Sequence, residues 1–338
     1  MGKLKTLRYR IRNDQYIIFL GSGASFESGA YTSPQIALDI LRHIYPAKTE
    51  GELEQQFESD YKKTVTFENI LGTFGAGKED HKSLLKSYFE NMEPSEGYSF
   101  LALLLKEGVF LPVVFTTNFE HMLEFAIEKD KISDKNTHVS SKIAEDILSL
   151  DDLKPKTNEI IVVHLHGDLY RDEPLKTSDE QYSSLPKECE RALQQLFEEH
   201  GFVVTGYRLR DTGVRNALQG AKPSKNGIFW ISKSPLDEEK DREILTLLKK
   251  NKSLDNSIHG VTFDDVFIEL GSKLKKVLVR KRYESKLNHC WNQLNMVGSS
   301  AKGRRDTLDE MYVFSLPGLI SASVDYLVHF APMSSGRS

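Results

Sequence analysis

The chain has 338 residues, enough to bury one sizeable α/β core with an appendage, and its formal net charge is -4. A negative balance gives no overall attraction to nucleic-acid phosphates or anionic lipid, so direct nucleic-acid binding is disfavoured. The two cysteines, Cys189 and Cys290, lie far apart, which excludes a disulfide framework and the paired spacing of a structural zinc site. Without an apolar run of the ~18 residues that span a bilayer, the sequence predicts a cytoplasmic, metal-free protein.

Short apolar runs rich in β-branched residues alternate with longer helical stretches along the chain. This alternation predicts an α/β fold, a Rossmann-like parallel sheet of about six strands with helices on both faces. The predicted strands are Tyr16–Gly21, Val113–Asn118, Ile160–Gly167, Phe202–Tyr207, Gly227–Lys233 and Ile258–Phe263. Most of these runs are almost unbroken hydrophobic sequence, as expected of strands that are buried on both faces.

Three longer segments interrupt or follow this pattern. Residues 36–110 are mainly helical and too long for a single crossover, so a helical insertion is predicted there, over the sheet edge. Residues 130–157 are polar and without a strong period, and we expect an irregular insertion. The predicted domain therefore spans 10–275. A mainly helical appendage of unknown role, with a Gly/Ser/Lys linker at Gly298–Arg305, occupies 276–338.

The first motif, GSGASFESG at Gly21–Gly29, directly follows the first predicted strand. Glycines let a backbone approach a ligand closely, and the start of the next helix offers N–H groups to a diphosphate. Phe26 stands where an ordinary dinucleotide fingerprint has its third glycine, and no lysine completes a P-loop. By itself the motif fits a phosphate-binding loop or a plain strand-to-helix turn.

The second motif is Phe115–Glu120, where a buried strand runs into an amide and a carboxylate. Asn118 has two interpretations, a cap for the following helix or a ligand-binding amide at the sheet edge.

The third motif, VHLHGD, ends another strand. Period two would place His164 and His166 on one face, with His166 nearer the ligand edge and suited to proton transfer. A metal site formed by the two histidines and Asp168 is the alternative, but a further ligand is not evident.

In the fourth motif, GFVVTGYRLRD at 201–211, a strand ends in a glycine turn that carries two arginines. The arginines could pair with phosphate or with acidic side chains at the surface.

Taken in order, these motifs resemble the NAD-binding domain of sirtuins, and in particular its bacterial defence-associated branch. Sirtuins carry a Gly-x-Gly-x-Ser loop, a Thr-x-Asn segment, a His-Gly motif and a later glycine turn. The matching segments here are Gly21–Ser25, Thr116–Asn118, His166–Gly167 and Gly206–Tyr207. The tail VTFDDVFIEL at 261–270 is also similar, so the resemblance covers roughly residues 10–275.

The resemblance implies cleavage of the bond between nicotinamide and ribose of NAD+, with water as acceptor. It implies that Asn118 orients the ribose hydroxyls and the water, and that His166 is the general base. The residues expected to contact the NAD+ substrate are Gly21, Ser22, Gly23, Ala24, Ser25, Thr117, Glu120, Gly206, Tyr207 and Ser232.

The departures from the sirtuin pattern shape the expected activity. Protein-deacylating sirtuins continue the first loop into Pro-Asp-Phe-Arg and carry four zinc cysteines, whereas this chain has Gly29–Gln35 (GAYTSPQ) and lacks the cysteines. Peptide deacylation is therefore disfavoured, and NAD+ hydrolysis is expected instead. Arg208 stands where the family often has a small hydroxyl residue, so the side-chain contact with NAD that the family makes at this position is not expected here.

The relatives imply a role in depleting NAD during phage infection, which requires a trigger. We expect a sensor in a partner, such as an Argonaute, a helicase-like ATPase or a nucleotide-handling protein, or in the C-terminal segment, or activation by homo-oligomerisation. Two alternatives stay open at this point. One is an NAD-dependent deacylase or ADP-ribosyltransferase, and the other is a non-catalytic module that binds NAD or ADP-ribose.

Overall fold

A computed structural model describes residues 2–74, 78–90, 92–130, 135–173, 175–177 and 179–300. The end of the predicted linker and the segment after it, residues 301–338, lie outside the described residues. The chain divides into two units, Met1–Leu274 and a second that begins at Lys275. The first unit contains every predicted site residue.

The centre of the first unit is a seven-stranded parallel sheet with the order β3-β4-β2-β1-β5-β6-β7. Its strands are β1 Tyr16–Leu20, β2 Val113–Thr116, β3 His138–Ile143, β4 Glu159–His164, β5 Gly201–Thr205, β6 Ile228–Ser232 and β7 Ser257–His259. Every neighbouring pair is parallel, so all carboxyl ends lie along one edge of the sheet. The strand order reverses beside β1, and open sheets of this type bind ligands outside such a reversal. The predicted parallel α/β sheet is confirmed.

The strand β3 was not predicted. It lies in the segment that was expected to be an irregular polar insertion, and it pairs with β4 at the edge of the sheet, from His138 opposite Glu159 to Ile143 opposite His164. As an edge strand β3 is mostly half-buried, and only Ile143 is fully buried. Its sequence HVSSKI therefore lacks the continuous apolar run that marks a strand covered on both faces.

The predicted helical insertion is confirmed. The helices of the first unit before β2 are α1 Gly2–Asn13, α2 Ser33–Ile44, α3 Glu50–Tyr61, α4 Phe67–Phe74, α5 Lys78–Phe89 and α6 Glu96–Lys106. Capping boxes begin α2 at Thr32 and α3 at Thr49, in each case with a residue three positions later closing the box. The apolar core of α2 to α5 also contains Phe119 and Leu169, which follow β2 and β4. The insertion therefore packs against the segments that follow β2 and β4 at the carboxyl edge of the sheet.

The later helices are α7 Met122–Lys129, α8 Asp179–Tyr182, α9 Lys187–Glu199, α10 Thr212–Gly220, α11 Arg242–Lys250 and α12 Phe263–Ser300. One large core cluster joins one side of the strands to α9, α10 and α11, and it includes Phe19, Phe115, Phe202 and Trp230. Burial of such side chains contributes roughly 1.5–3 kcal/mol each. This core holds the strand ends, and hence the site, in place.

The helix α12 begins at Phe263 and ends at Ser300, so it includes the first residues of the predicted linker. Within the first unit its residues Val266, Phe267 and Leu270 are buried. Across the described ranges, no helix combines the length and apolar composition needed to cross a membrane.

Candidate active site

Two glycine turns meet at the carboxyl end of β1. The loop after β1 forms a 3-10 helix, Ser22–Ser28, and the turn after β5 contains Gly206 with a φ of 67°. A Cβ on Gly206 would lie 2.2 Å from the backbone nitrogen of Ala24, and a Cβ on Gly21 would lie 2.5 Å from the carbonyl oxygen of Gly206. Glycine is required at these positions because the backbones of the two loops are in direct contact. The interpretation of the motif as a phosphate-binding loop did not anticipate this contact.

Three backbone amides of the glycine loop already have acceptors. The amide of Gly21 donates to Thr205, that of Gly23 to Gly206, and that of Ala24 to Gly21, at 2.9–3.0 Å. In this conformation those N–H groups are engaged within the protein. A diphosphate at the loop would therefore be held by other groups at its rim.

Ser25, Asn118 and Glu120, three of the predicted residues, form one buried hydrogen-bonded cluster. The Asn118 amide Nδ2 donates to Ser25 Oγ at 3.1 Å and to Glu120 Oε1 at 3.0 Å. The Ser25 hydroxyl in turn donates to Glu120 and lies 2.8 Å from the Tyr98 hydroxyl of α6. The loop after β1, the loop after β2 and the helical insertion are thus joined at one point.

The side-chain amide of Asn118 has one polar atom without a partner among the described residues. Its Oδ1 is buried and accepts no hydrogen bond from them, while Nδ2 is fixed by Ser25 and Glu120. The interpretation of Asn118 as a helix cap is wrong, because α7 has His121 as its N-cap residue. A buried acceptor without a partner costs roughly 1–3 kcal/mol, so a ligand group that donates to it would recover that energy.

The carboxyl group of Glu120 is tuned by its surroundings. Burial raises its pKa to about 7, although the hydrogen bond from Ser25 opposes the shift. The group is therefore divided between its charged and neutral forms near neutral pH. Such a carboxyl next to an open acceptor is typical of a functional site.

His166 has a separate partner, Asp211. His166 Nε2 lies 3.8 Å from Asp211 Oδ2, and its ring packs on that of Tyr182 with the centroids 4.3 Å apart. Asp211 also caps α10 by accepting from the Val214 amide at 2.9 Å, and its other oxygen accepts from the Tyr207 hydroxyl. Burial would raise the pKa of Asp211, but the nearby His166 imidazole and the hydrogen bond from the Tyr207 hydroxyl hold it below its ordinary value. A carboxylate this close to an imidazole favours the charged form of the ring.

His164 belongs to a different network from His166. Because β4 ends at His164, the strand alternation does not continue, and the prediction of two imidazoles on one strand face is not supported. His164 Nδ1 lies 2.8 Å from the Asn118 carbonyl oxygen and Nε2 lies 2.7 Å from Glu124 Oε1. Burial alone would lower the pKa of His164, but the charge of Glu124 outweighs it and raises the pKa to about 9.

The remaining predicted residues occupy varied surroundings. The ring of Tyr207 is part of the core, 4.8 Å from that of Phe19, while its backbone and Cβ lie against Gly21 of the loop. The Thr117 amide donates to Leu20. Ser22 is exposed, and the Ser232 hydroxyl donates to the Ser234 carbonyl at 2.7 Å. Lys233 Nζ lies 5.2 Å from the centroid of the Phe26 ring, which places a cation at the rim of the glycine loop.

Sequence reasoning missed Tyr98, Tyr182 and Asp211 as neighbours of the site. Tyr98 is 73 residues from Ser25 and sits in the middle of an apolar helix, so its pattern indicates core packing. Asp211 closes the GYRLRD motif, and a carboxylate just before a helix indicates a cap, which it also is.

The fold and site together define an open, doubly wound α/β protein whose ligand edge lies at the strand reversal beside β1. Residues 112–255 match the family model described as "SIR2-like domain". The matched range holds Asn118, Glu120, His166 and Asp211, whereas the glycine loop at Gly21–Gly29 precedes it. No curated protein matches the chain.

Two solved structures illustrate the similarity in three dimensions. One is a Sir2 homologue in complex with ADP-ribose, at 15% identity, covering 81% of this chain and 97% of that one with a TM-score of 0.46. The other is a Sir2 homologue in complex with NAD, at 16% identity, covering 81% of this chain and 94% of that one with a TM-score of 0.44.

Proposed function

We propose that this protein hydrolyses NAD+ at the bond between nicotinamide and ribose, giving nicotinamide and ADP-ribose. The observation that carries the proposal is Asn118, a buried amide whose Nδ2 is fixed while its Oδ1 accepts nothing. An oxygen held in this way accepts a hydrogen bond from a ribose hydroxyl or from the attacking water. The match of residues 112–255 to the SIR2-like domain supports NAD as the molecule bound.

The reaction breaks the C–N glycosidic bond, and nicotinamide leaves with the bonding electron pair. The ribose then carries positive charge, which a buried carboxylate stabilises, and we assign this role to Glu120 in its ionised form because it is hydrogen-bonded to Asn118. Water attacks the ribose carbon and loses its proton to His166, which Asp211 orients. Asn118 holds the water or the hydroxyls in line.

Support for diphosphate binding comes from the rim of the glycine loop. With the amides of Gly21, Gly23 and Ala24 engaged, the cation of Lys233 beside Phe26 is the group suited to offset the diphosphate charge. The exposed Ser22 hydroxyl can donate a further hydrogen bond. Thr117, Gly206 and Ser232 are proposed to contact the rest of the nucleotide.

The proposed biological role is to deplete NAD in bacterial cells infected by phage, in the cytoplasm. An NAD-destroying activity must be silent until triggered. We propose that a sensor protein encoded nearby, homo-oligomerisation, or the segment 276–338 supplies the trigger.

The experiment that tests the proposal expresses the chain with its neighbouring genes in bacteria and measures intracellular NAD and free ADP-ribose with and without phage. His166→Ala and Asn118→Ala should each abolish NAD loss. His43→Ala is the matched control, because this histidine has a side chain that is 77% exposed on α2 and should leave NAD loss unchanged. Wild-type NAD loss in His166→Ala or Asn118→Ala would contradict the site assignment.

Two other outcomes separate the alternatives. If an acyl-lysine peptide and NAD gave acyl-ADP-ribose without free ADP-ribose, the protein would be a deacylase. If the triggered protein bound NAD and left it intact, the protein would be a binding module.

A further inference from the structure

Beside the proposed active site, three potential metal ligands meet in a group to which the proposed hydrolysis gives no role. They are His121 at the start of α7, His164 at the end of β4 and Asp168 in the loop that follows β4. One nitrogen or oxygen atom of each lies within 4.8 Å of the others. The side chains of His164 and Asp168 are fully buried, and that of His121 is 15% exposed.

The polar atoms of this group are incompletely satisfied. His121 Nε2 lies 2.8 Å from Asp168 Oδ1, so these two atoms are in contact, but among the described residues the buried Asp168 Oδ2 has no hydrogen-bond donor. A buried carboxylate oxygen without a partner carries a substantial desolvation cost. A cation beside Asp168 would satisfy this oxygen.

The neighbouring contacts are those that orient metal ligands. A ligating histidine commonly donates its other ring N–H to a carbonyl, which fixes the tautomer. His164 Nδ1 lies 2.8 Å from the Asn118 carbonyl oxygen, which leaves Nε2 as the ligand atom. Asp168 Oδ1 accepts from the Tyr170 amide at 2.8 Å, which holds that carboxylate in place.

Glu124 can complete the coordination. Its Oε1 lies 2.7 Å from His164 Nε2 and 4.0 Å from His121 Nε2, and it accepts from the Ser141 hydroxyl at 3.0 Å. Ligand atoms around a tetrahedral zinc are separated by roughly 3.3 Å, as follows from metal–ligand bonds of about 2.0–2.1 Å. The ligand-atom separations of 2.7, 2.8 and 4.0 Å lie on both sides of that value.

We propose that His121, His164 and Asp168, with Glu124, bind one divalent transition-metal ion of the zinc class. Two imidazoles with carboxylates suit Zn²⁺, Mn²⁺ or Fe²⁺, whereas Mg²⁺ and Ca²⁺ prefer oxygen ligands alone. The ion would be structural and would tie the start of α7 to the end of β4. This departs from the metal-free prediction, which considered cysteine ligands and a set made of His164, His166 and Asp168.

The ion would also bear on the proposed active site through a single contact. His164 holds the carbonyl of Asn118, so a metal that fixes His164 also fixes the backbone that positions the Asn118 amide. The metal proposal does not depend on NAD hydrolysis, because metal content is measured without NAD.

The test uses full-length protein without a histidine tag, stripped with a chelator and titrated with Zn²⁺, with bound metal measured by elemental analysis. Co²⁺ serves as a second probe, because a tetrahedral site gives visible absorption. Wild type should bind one equivalent. His121→Ala and Asp168→Asn should each weaken binding by on the order of 100-fold or more, because a ligand is lost. His43→Ala, on the exposed face of α2, is the control and should bind like wild type.

Circular dichroism checks that each variant is folded, and Asp168→Asn provides a nearly isosteric change if His121→Ala fails to fold. Failure of the stripped wild type to bind Zn²⁺ or Co²⁺ at micromolar concentration would overturn the proposal. Equal affinity in wild type, His121→Ala and Asp168→Asn would overturn it as well. Either result would leave the NAD measurements with His166→Ala unaffected.

Discussion

Replacing Gly206 by alanine should destabilise the protein through two separable effects. The first is conformational, because the φ of 67° lies in the left-handed region that side chains with a Cβ disfavour. The second is steric, because the new methyl group would lie 2.2 Å from the nitrogen of Ala24 and 2.7 Å from the carbonyl carbon of Gly23. Both of those atoms belong to backbone, which cannot rotate away as a flexible side chain would.

The magnitude follows from adding the two effects. A left-handed conformation costs an alanine roughly 1–2 kcal/mol. Forcing a methyl group into a fully packed contact adds typically about 1–3 kcal/mol. The expected loss in the free energy of unfolding is therefore roughly 2–5 kcal/mol, from which the reduced freedom of the unfolded chain subtracts about 0.4–1 kcal/mol.

The matched control is Gly260→Ala. Gly260 has a similar φ of 76°, but a Cβ there would meet no atom within 4 Å. This variant should show the conformational effect alone. Urea denaturation of wild type, Gly206→Ala and Gly260→Ala gives the free energy of unfolding of each protein. If the dependence on urea concentration is the same for all three, the difference in unfolding free energy between the two variants is the steric contribution.

The same variants report on the site. Gly206→Ala must push apart the loops after β1 and β5, so binding of NAD should weaken in this variant and stay unchanged in Gly260→Ala. Equal stability of the two variants would refute the reasoning, because it would mean that the two glycine turns do not press on each other.

Two further predictions concern buried groups away from the site. Lys106 Nζ and Asp130 Oδ2 are 3.4 Å apart with both side chains almost fully buried, so Lys106→Met alone should destabilise by roughly 3–5 kcal/mol. The double variant Lys106→Met/Asp130→Leu should regain most of the lost free energy of unfolding, as measured by urea denaturation. If instead the losses of the two single variants added up in the double variant, the two residues would not form a buried ion pair. Burial raises the pKa of the Cys189 thiol to about 12, so in a Cys290→Ser background it should resist a thiol reagent at pH 8 and react only in urea. Rapid labelling of the folded protein would contradict its burial.

The sequence by itself determined the parallel sheet and the helical insertion. The strands β1, β2, β4, β5 and β6 are continuous apolar runs, and such runs form only where helices cover both faces of the sheet. Polar residues directly after these runs marked the carboxyl edge, and the resemblance to the sirtuin motifs singled out Ser25, Asn118 and Glu120 among them. The edge strand β3 escaped prediction because one-sided burial leaves no apolar run to recognise.

Only the tertiary structure decided which polar residues meet. Ser25 and Glu120 are 95 positions apart, and their contact exists because β1 and β2 are neighbours in the sheet. His166 and Asp211 come together because the loops after β4 and β5 open at the same edge. The sequence likewise grouped His164 with His166, whereas the end of β4 at His164 sends the two imidazoles to different partners. Residue type and local sequence periodicity determine which functional side chains each segment supplies. The order of the strands in the sheet determines which of those side chains come into contact.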